Sequence, residues 1–224
     1  HAREAFRLLW KADLDIASLQ CPVPDGADSP LQHNCSGKHA AFLATSRKMG
    51  WPIDSYLQND HPLQVEVNRR VAELIGLPAE ELVAERDDCG APTLVMQLAQ
   101  MALLYAHLGA SQHAEFEQIS RAMLSHPDLV AGEGRFDTEL MRRSHGQVLS
   151  KGGAEGIQCL SRVGEGLGVA IKVEDGSRRA KQAVALHVLR QLEWLTPMGL
   201  DELEDQVLVV NPSVRLTVNG ALHS

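Results

Sequence analysis

Apolar residues recur at helical spacing through Ala5, Leu8, Leu9, Ala12 and Ile16, which predicts a helix over residues 1–18. The string Pro22-Val23-Pro24-Asp25-Gly26 then reads as a loop. Across residues 37–49 the run Ala40, Ala41, Phe42, Leu43 and Ala44 predicts a buried helix stopped by Gly50-Trp51-Pro52. A further helix is expected from Pro62, a favoured first-turn residue, through Val65, Val67, Val71, Leu74 and Ile75 to a stop at Gly76. A short helix follows over 79–84, and Asp87-Asp88-Cys89-Gly90-Ala91-Pro92 forms a turn. Beyond it an apolar helix is predicted over 93–107 and a polar one over 116–125. Turn formers fill 126–135, and one more short helix covers 137–144.

The texture then changes. Short apolar runs at Val148-Leu149, 157–160 and 167–173 are separated by Gly152-Gly153, Gly164-Glu165-Gly166 and Asp175-Gly176, the spacing of an antiparallel meander. A helix over 180–195 turns Ala183, Val184, Val188, Leu189, Leu192 and Leu195 inward, and the apolar stretches 207–210 and 214–218 are expected to add an edge strand. Helices on either side of a run of strands predict an α+β fold, with helices lying against an antiparallel sheet.

At 224 residues and 44% hydrophobic content the chain is long enough for one sizeable core or two small ones, and a single domain over 1–224 is expected. A formal net charge of −8, with Lys and Arg scattered, argues against a nucleic-acid or anionic-membrane partner and for a small ligand. No window approaches a membrane span, since the longest apolar stretch is interrupted by Gln97 and Gln100. The 4 cysteines are too few for a disulfide framework, which leaves reduced thiols, metal ligands or catalytic groups, and a reducing, cytoplasmic compartment is expected.

Chemistry concentrates in His33-Asn34-Cys35-Ser36-Gly37-Lys38-His39. With a helix starting near Ser36, Cys35 and Lys38 sit on neighbouring faces of its first turn, and the helix dipole favours the Cys35 thiolate. Together with Cys89 they form three candidate ligands, and two thiolates suit zinc. A lysine ligand needs a neutral amine, so its pKa must be depressed. The alternative is that both cysteines are small buried hydrophobes and Lys38 is a surface charge. His33 and His39 are candidates for orienting groups or a general base. Asp87 and Asp88 can hold a substrate ammonium or simply cap, and Ser36 reads as a cap. Lys151-Gly152-Gly153 at a strand end resembles the lysine box of penicillin-binding proteins and serine β-lactamases.

In order along the chain, the His33–His39 string, Asp87-Asp88-Cys89-Gly90-Ala91-Pro92, His126-Pro127, Gly134-Arg135-Phe136-Asp137-Thr138 and Lys151-Gly152-Gly153-Ala154-Glu155-Gly156 resemble the asparaginase II family of rhizobial type. The resemblance covers most of residues 20–180. It implies a serine-β-lactamase-like, penicillin-binding-protein-like fold, usually a homodimer, hydrolysing L-asparagine to L-aspartate and ammonia. It also implies zinc on Cys35, Lys38 and Cys89, a serine-lysine pair containing Lys151, and a substrate pocket lined by His39 and Asp87. Two residues depart from the family pattern: Asp137 stands where a pocket cysteine is expected, and Asp88 replaces a glycine. The family's nucleophilic serines belong to a segment ahead of His1, where the nucleophile is therefore expected. Two other functions fit the residues: a zinc-stabilised amino-acid-binding domain without turnover, and a penicillin-binding-like amide hydrolase.

Overall fold

The computed structural model describes residues 1–208 and 218–222. The fold is α+β, with helices and two small antiparallel sheets among the described residues. The chain divides into two compact units, His1–Met96 and Gln97–Ser224, each with its own apolar core.

In the first unit, α1 (Ala2–Lys11) packs on α2 (Ser36–Met49), placing Ala5 and Leu9 in one core with Ala40 and Leu43. The helix read to residue 18 ends early. Asp13 takes a φ of 55°, and Asp15 accepts the Ala17 N–H at 2.8 Å to start a short 3-10 turn, Ile16–Ser18. Short acidic side chains of this kind compete with the helix for backbone donors. α2 stops as read, where Gly50 adopts a left-handed φ of 69° that a side chain would oppose. α3 (Pro62–Ile75) begins at its proline and ends at Gly76, also as read.

Two expectations for the next stretch are corrected. Residues 79–84 form a 3-10 turn, Ala79–Glu81, and then enter β1 (Val83–Arg86), which pairs antiparallel with β2 (Pro92–Val95). The apolar helix read from residue 93 consequently starts later, as α4 (Leu98–Ala110). Cross-strand pairing of Val83 with Val95 and Ala84 with Leu94 overrides the local helical spacing.

The second unit follows α4 with α5 (Ala114–Ser125), the short α6 (Pro127–Ala131) inside the segment read as turns, and α7 (Phe136–Arg143). The meander is as expected: β3 (Val148–Gly152), β4 (Ile157–Arg162) and β5 (Leu167–Lys172) in the order β3-β4-β5. α8 (Arg178–Gln191) is capped by Ser177. On one sheet face Val148, Leu160 and Ile171 join Phe136 and Leu140 of α7 and Ala185, Leu186 and Leu189 of α8. On the other face α4 lies against the backbone, because a Cβ on Gly168 would fall 1.9 Å from the Ala102 carbonyl oxygen. Val207, read as the start of a strand, instead ends α9 (Pro197–Val207), which places Leu200 and Leu203 in the core. The remainder of the expected tail strand lies outside the described residues, apart from Leu208 and Val218.

Candidate active site and metal centre

α2 starts at Ser36 with Cys35 as its N-cap, so the sulfur leaves the chain at the helix entrance. His33 fixes this entrance by accepting the Cys35 N–H on Nδ1 at 3.0 Å. Ser36 does not cap: its hydroxyl donates to the Leu31 carbonyl and meets the His1 ring, both at 2.8 Å. One turn on, Lys38 projects from α2.

The β1–β2 hairpin supplies the opposing groups. Asp87 and Ala91 close its turn through an N–H to carbonyl bond of 2.9 Å, and Gly90 takes a φ of 81° there. Asp87 Oδ1 accepts the Asp88 N–H, which turns Oδ2 toward the Lys38 ammonium at 3.2 Å and the Cys89 thiol at 3.7 Å. Cys35 Sγ, Cys89 Sγ and an Asp87 oxygen all lie within 4.8 Å of one another. Three residues from two distant segments thus converge, with Lys38 ion-paired to one of them.

Burial pushes the Cys35 thiol up to about 11, against the pull of Lys38 and with added push from Cys89 and Asp87. The expected dipole-favoured thiolate is therefore not what the protein alone provides. Burial also works against the Lys38 charge, but Cys35 and Asp87 outweigh it and raise that pKa. Burial likewise opposes the Asp87 carboxylate, yet the Lys38 hydrogen bond holds it below the usual carboxylate range. Lys38 is thus kept as an ammonium, not as the neutral amine a ligand requires. The donor set of two sulfurs, an amine and a carboxylate suits zinc, and binding would have to displace thiol and ammonium protons.

His39 points into the core. It is 0% exposed, with Nδ1 2.6 Å from the Tyr56 hydroxyl and the two rings edge to face at 5.6 Å. Tyr56 accepts the Gln20 N–H at 2.9 Å, so its own proton is the one to donate to His39, which leaves the imidazole proton on Nε2. That Nε2 is buried and has no hydrogen-bond partner. Burial first, then the Lys38 charge, lowers the His39 pKa to about 4 and keeps the ring neutral. Tyr56 escaped the sequence reading. A tyrosine between Ser55 and Leu57 carries no motif, and only its contact with His39 reveals it.

Lys151 belongs to the second unit. It is exposed on β3, opposite Cys159 of β4, and its ammonium donates to the Gly152 carbonyl. Asp137, which stands where the resemblance leads one to expect a pocket cysteine, is 7% exposed and bound by Ser150, Gly152 and Gln158. Asp88 is exposed at the hairpin turn. Cys21 and Cys159 are buried free thiols.

A family model for L-asparaginase II matches residues 1–224, the whole chain, and the chain belongs to that family. Membership supports an L-asparaginase-type amidohydrolase acting on a small substrate. A search of curated proteins found no match. Among the described residues no helix is long and apolar enough to cross a membrane.

Proposed function

We propose that the protein is an L-asparaginase that hydrolyses L-asparagine to L-aspartate and ammonia by acyl transfer, on a serine-β-lactamase-like fold, with zinc as its cofactor. The observation that carries this reading is the convergence of Cys35, Lys38, Asp87 and Cys89 in a chain of the L-asparaginase II family. Zinc would be held by Cys35, Cys89 and Lys38, where it would supply a fixed positive charge that helps bind and polarise the substrate. Released from its ion pair by Lys38 deprotonation, Asp87 would receive the α-ammonium of asparagine. His39, buried with its Nε2 out of reach of solvent, would support the pocket from behind through the Tyr56 hydroxyl.

Lys151 is the proposed base. For that step Lys151 would have to act as a neutral amine, taking the proton of a serine hydroxyl as the oxygen attacks the side-chain amide carbon. The proton then passes to the leaving nitrogen, ammonia departs, and water hydrolyses the resulting ester. A homodimer in the cytoplasm completes the reading, with sedimentation as the check on the dimer.

The test is Lys151→Ala, followed by ammonia release from L-asparagine and zinc content on one sample. Loss of ammonia release with zinc retained supports the assignment. Full turnover would make Lys151 structural, and asparagine binding without turnover in the unaltered protein would favour a zinc-stabilised binding domain.

A further inference from the structure

Strand alternation separates the residues around Lys151 into two sets. Ser150 and Gly152 on β3 share a face with Gln158 and Leu160 on β4, the face covered by α7 and α8, whereas Lys151 and Cys159 take the opposite face. Behind Lys151, beside the buried Ser150 and Gln158, two charged side chains are each only 7% exposed: Asp137 from the first turn of α7 and Lys181 from the first turn of α8.

They do not form an ion pair with each other; each bonds to the β3–β4 connection. Asp137 Oδ1 accepts from the Ser150 hydroxyl at 2.6 Å and from Gln158 Nε2 at 2.7 Å, while Oδ2 accepts the Gly152 N–H at 2.8 Å. The Lys181 ammonium donates to the carbonyls of Gly153 and Ile157, both at 2.9 Å. Burial lowers the Lys181 pKa, with Asp137 pulling the other way. A Cβ on Gly152 would lie 3.1 Å from Lys181 Nζ and 3.2 Å from both Asp137 Oδ2 and Gln158 Oε1, so the cluster closes around a glycine.

Apolar residues of similar volume would fill such a layer at lower electrostatic cost, so buried charges of this kind signal a demand for geometry. We propose that Asp137 and Lys181 are positioning residues that pin residues 150–157 from behind the sheet and thereby set where the Lys151 amine stands on its front. The inference rests on the reading of Lys151 as the base. It makes the aspartate, which departs from the family pattern, part of the device that aims the lysine.

The experiment compares Asp137→Ala, Asp137→Asn and Lys181→Met with the unaltered protein. Lys151 is labelled with acetic anhydride, and its rate is read by peptide mass against Lys48, an exposed lysine on α2. The Lys151-to-Lys48 ratio is expected to rise about threefold or more in Asp137→Ala and Lys181→Met, as the strand end opens locally. kcat for ammonia release should fall about 100-fold with KM little changed, the scale of a misplaced catalytic group. Asp137→Asn, which keeps one acceptor oxygen, should recover part of both. Leu203→Ala, a buried change on α9 in the same unit, serves as the control for general loss of stability. An unchanged labelling ratio in folded Asp137→Ala and Lys181→Met overturns the proposal, as does an equal change in Leu203→Ala. If the unaltered protein releases no ammonia, the asparaginase reading fails while the labelling ratio still decides the positioning role. If Asp137→Ala does not fold, Asp137→Asn and Lys181→Met decide it.

Discussion

Tyr56→Phe removes one oxygen from the interior and isolates the contribution of the His39 anchor. The phenol is 0% exposed and joins two groups, His39 Nδ1 at 2.6 Å and the Gln20 N–H at 2.9 Å. Without it, His39 is a buried imidazole with no partner on either nitrogen, because Nε2 already lacks one. A buried acceptor left unsatisfied costs about 1–3 kcal/mol, and a lost backbone-to-hydroxyl bond about 1 kcal/mol more, so a loss of about 2–4 kcal/mol is expected. The phenylalanine ring preserves the edge-to-face packing, so little of this cost arises from shape. Urea unfolding followed by tryptophan fluorescence measures it, through Trp51, which packs edge to face on His61 in the same unit. The slope against urea should be unchanged and the midpoint lower. A loss below about 0.5 kcal/mol would refute both the phenol-to-imidazole bond and the Nε2 tautomer derived from it.

Three further outcomes follow from the same geometry. In chelator-treated protein, the lowered His39 pKa of about 4 means that the unfolded chain binds a proton first on acidification. Stability present above pH ~6.5 should therefore fall between there and pH ~4, by on the order of 3 kcal/mol, and His39→Gln should flatten this dependence in urea titrations. Lys38→Met should lower bound zinc well below one per chain while Asp87→Asn keeps zinc and raises KM for asparagine about tenfold or more; the reverse zinc result would make Asp87 the third ligand. Gly168→Ala should reduce soluble yield or lower the melting temperature sharply, since its Cβ would meet backbone at Ala102 and Ala106, 1.9 and 2.5 Å away, which no rotamer change relieves. A melting temperature within a degree or two of the parent would mean that α4 is not seated as described.

Glycine and proline made much of the fold legible. Gly50, Gly76 and Pro62 mark helix ends that depend only on local backbone preference, and the glycine pairs mark the meander. The β1–β2 hairpin was hidden because its stability lies in pairs such as Val83 with Val95, which no local window weighs. α9 was hidden because Val207 was grouped with the apolar residues after it, although Leu200, Leu203 and Val207 have helical spacing. In the site, Cys35, Lys38 and Cys89 stand out by residue type at a helix start and a turn. The Lys38–Asp87 pair spans 49 positions, and the charge state of Lys38 depends on burial and on neighbours fixed by that contact. Asp137 and Lys181 were illegible as a cluster for the same reason, since they lie on different helices and meet only behind β3.

The most direct test of the central claim is zinc stoichiometry and ammonia release from L-asparagine, measured on the protein and on Cys89→Ser in the same buffer. The account predicts about one zinc per chain with ammonia released in the parent, and loss of both in the variant, because one of two sulfur ligands is gone. Ammonia release that is equal in both proteins, with no zinc in either, would contradict it.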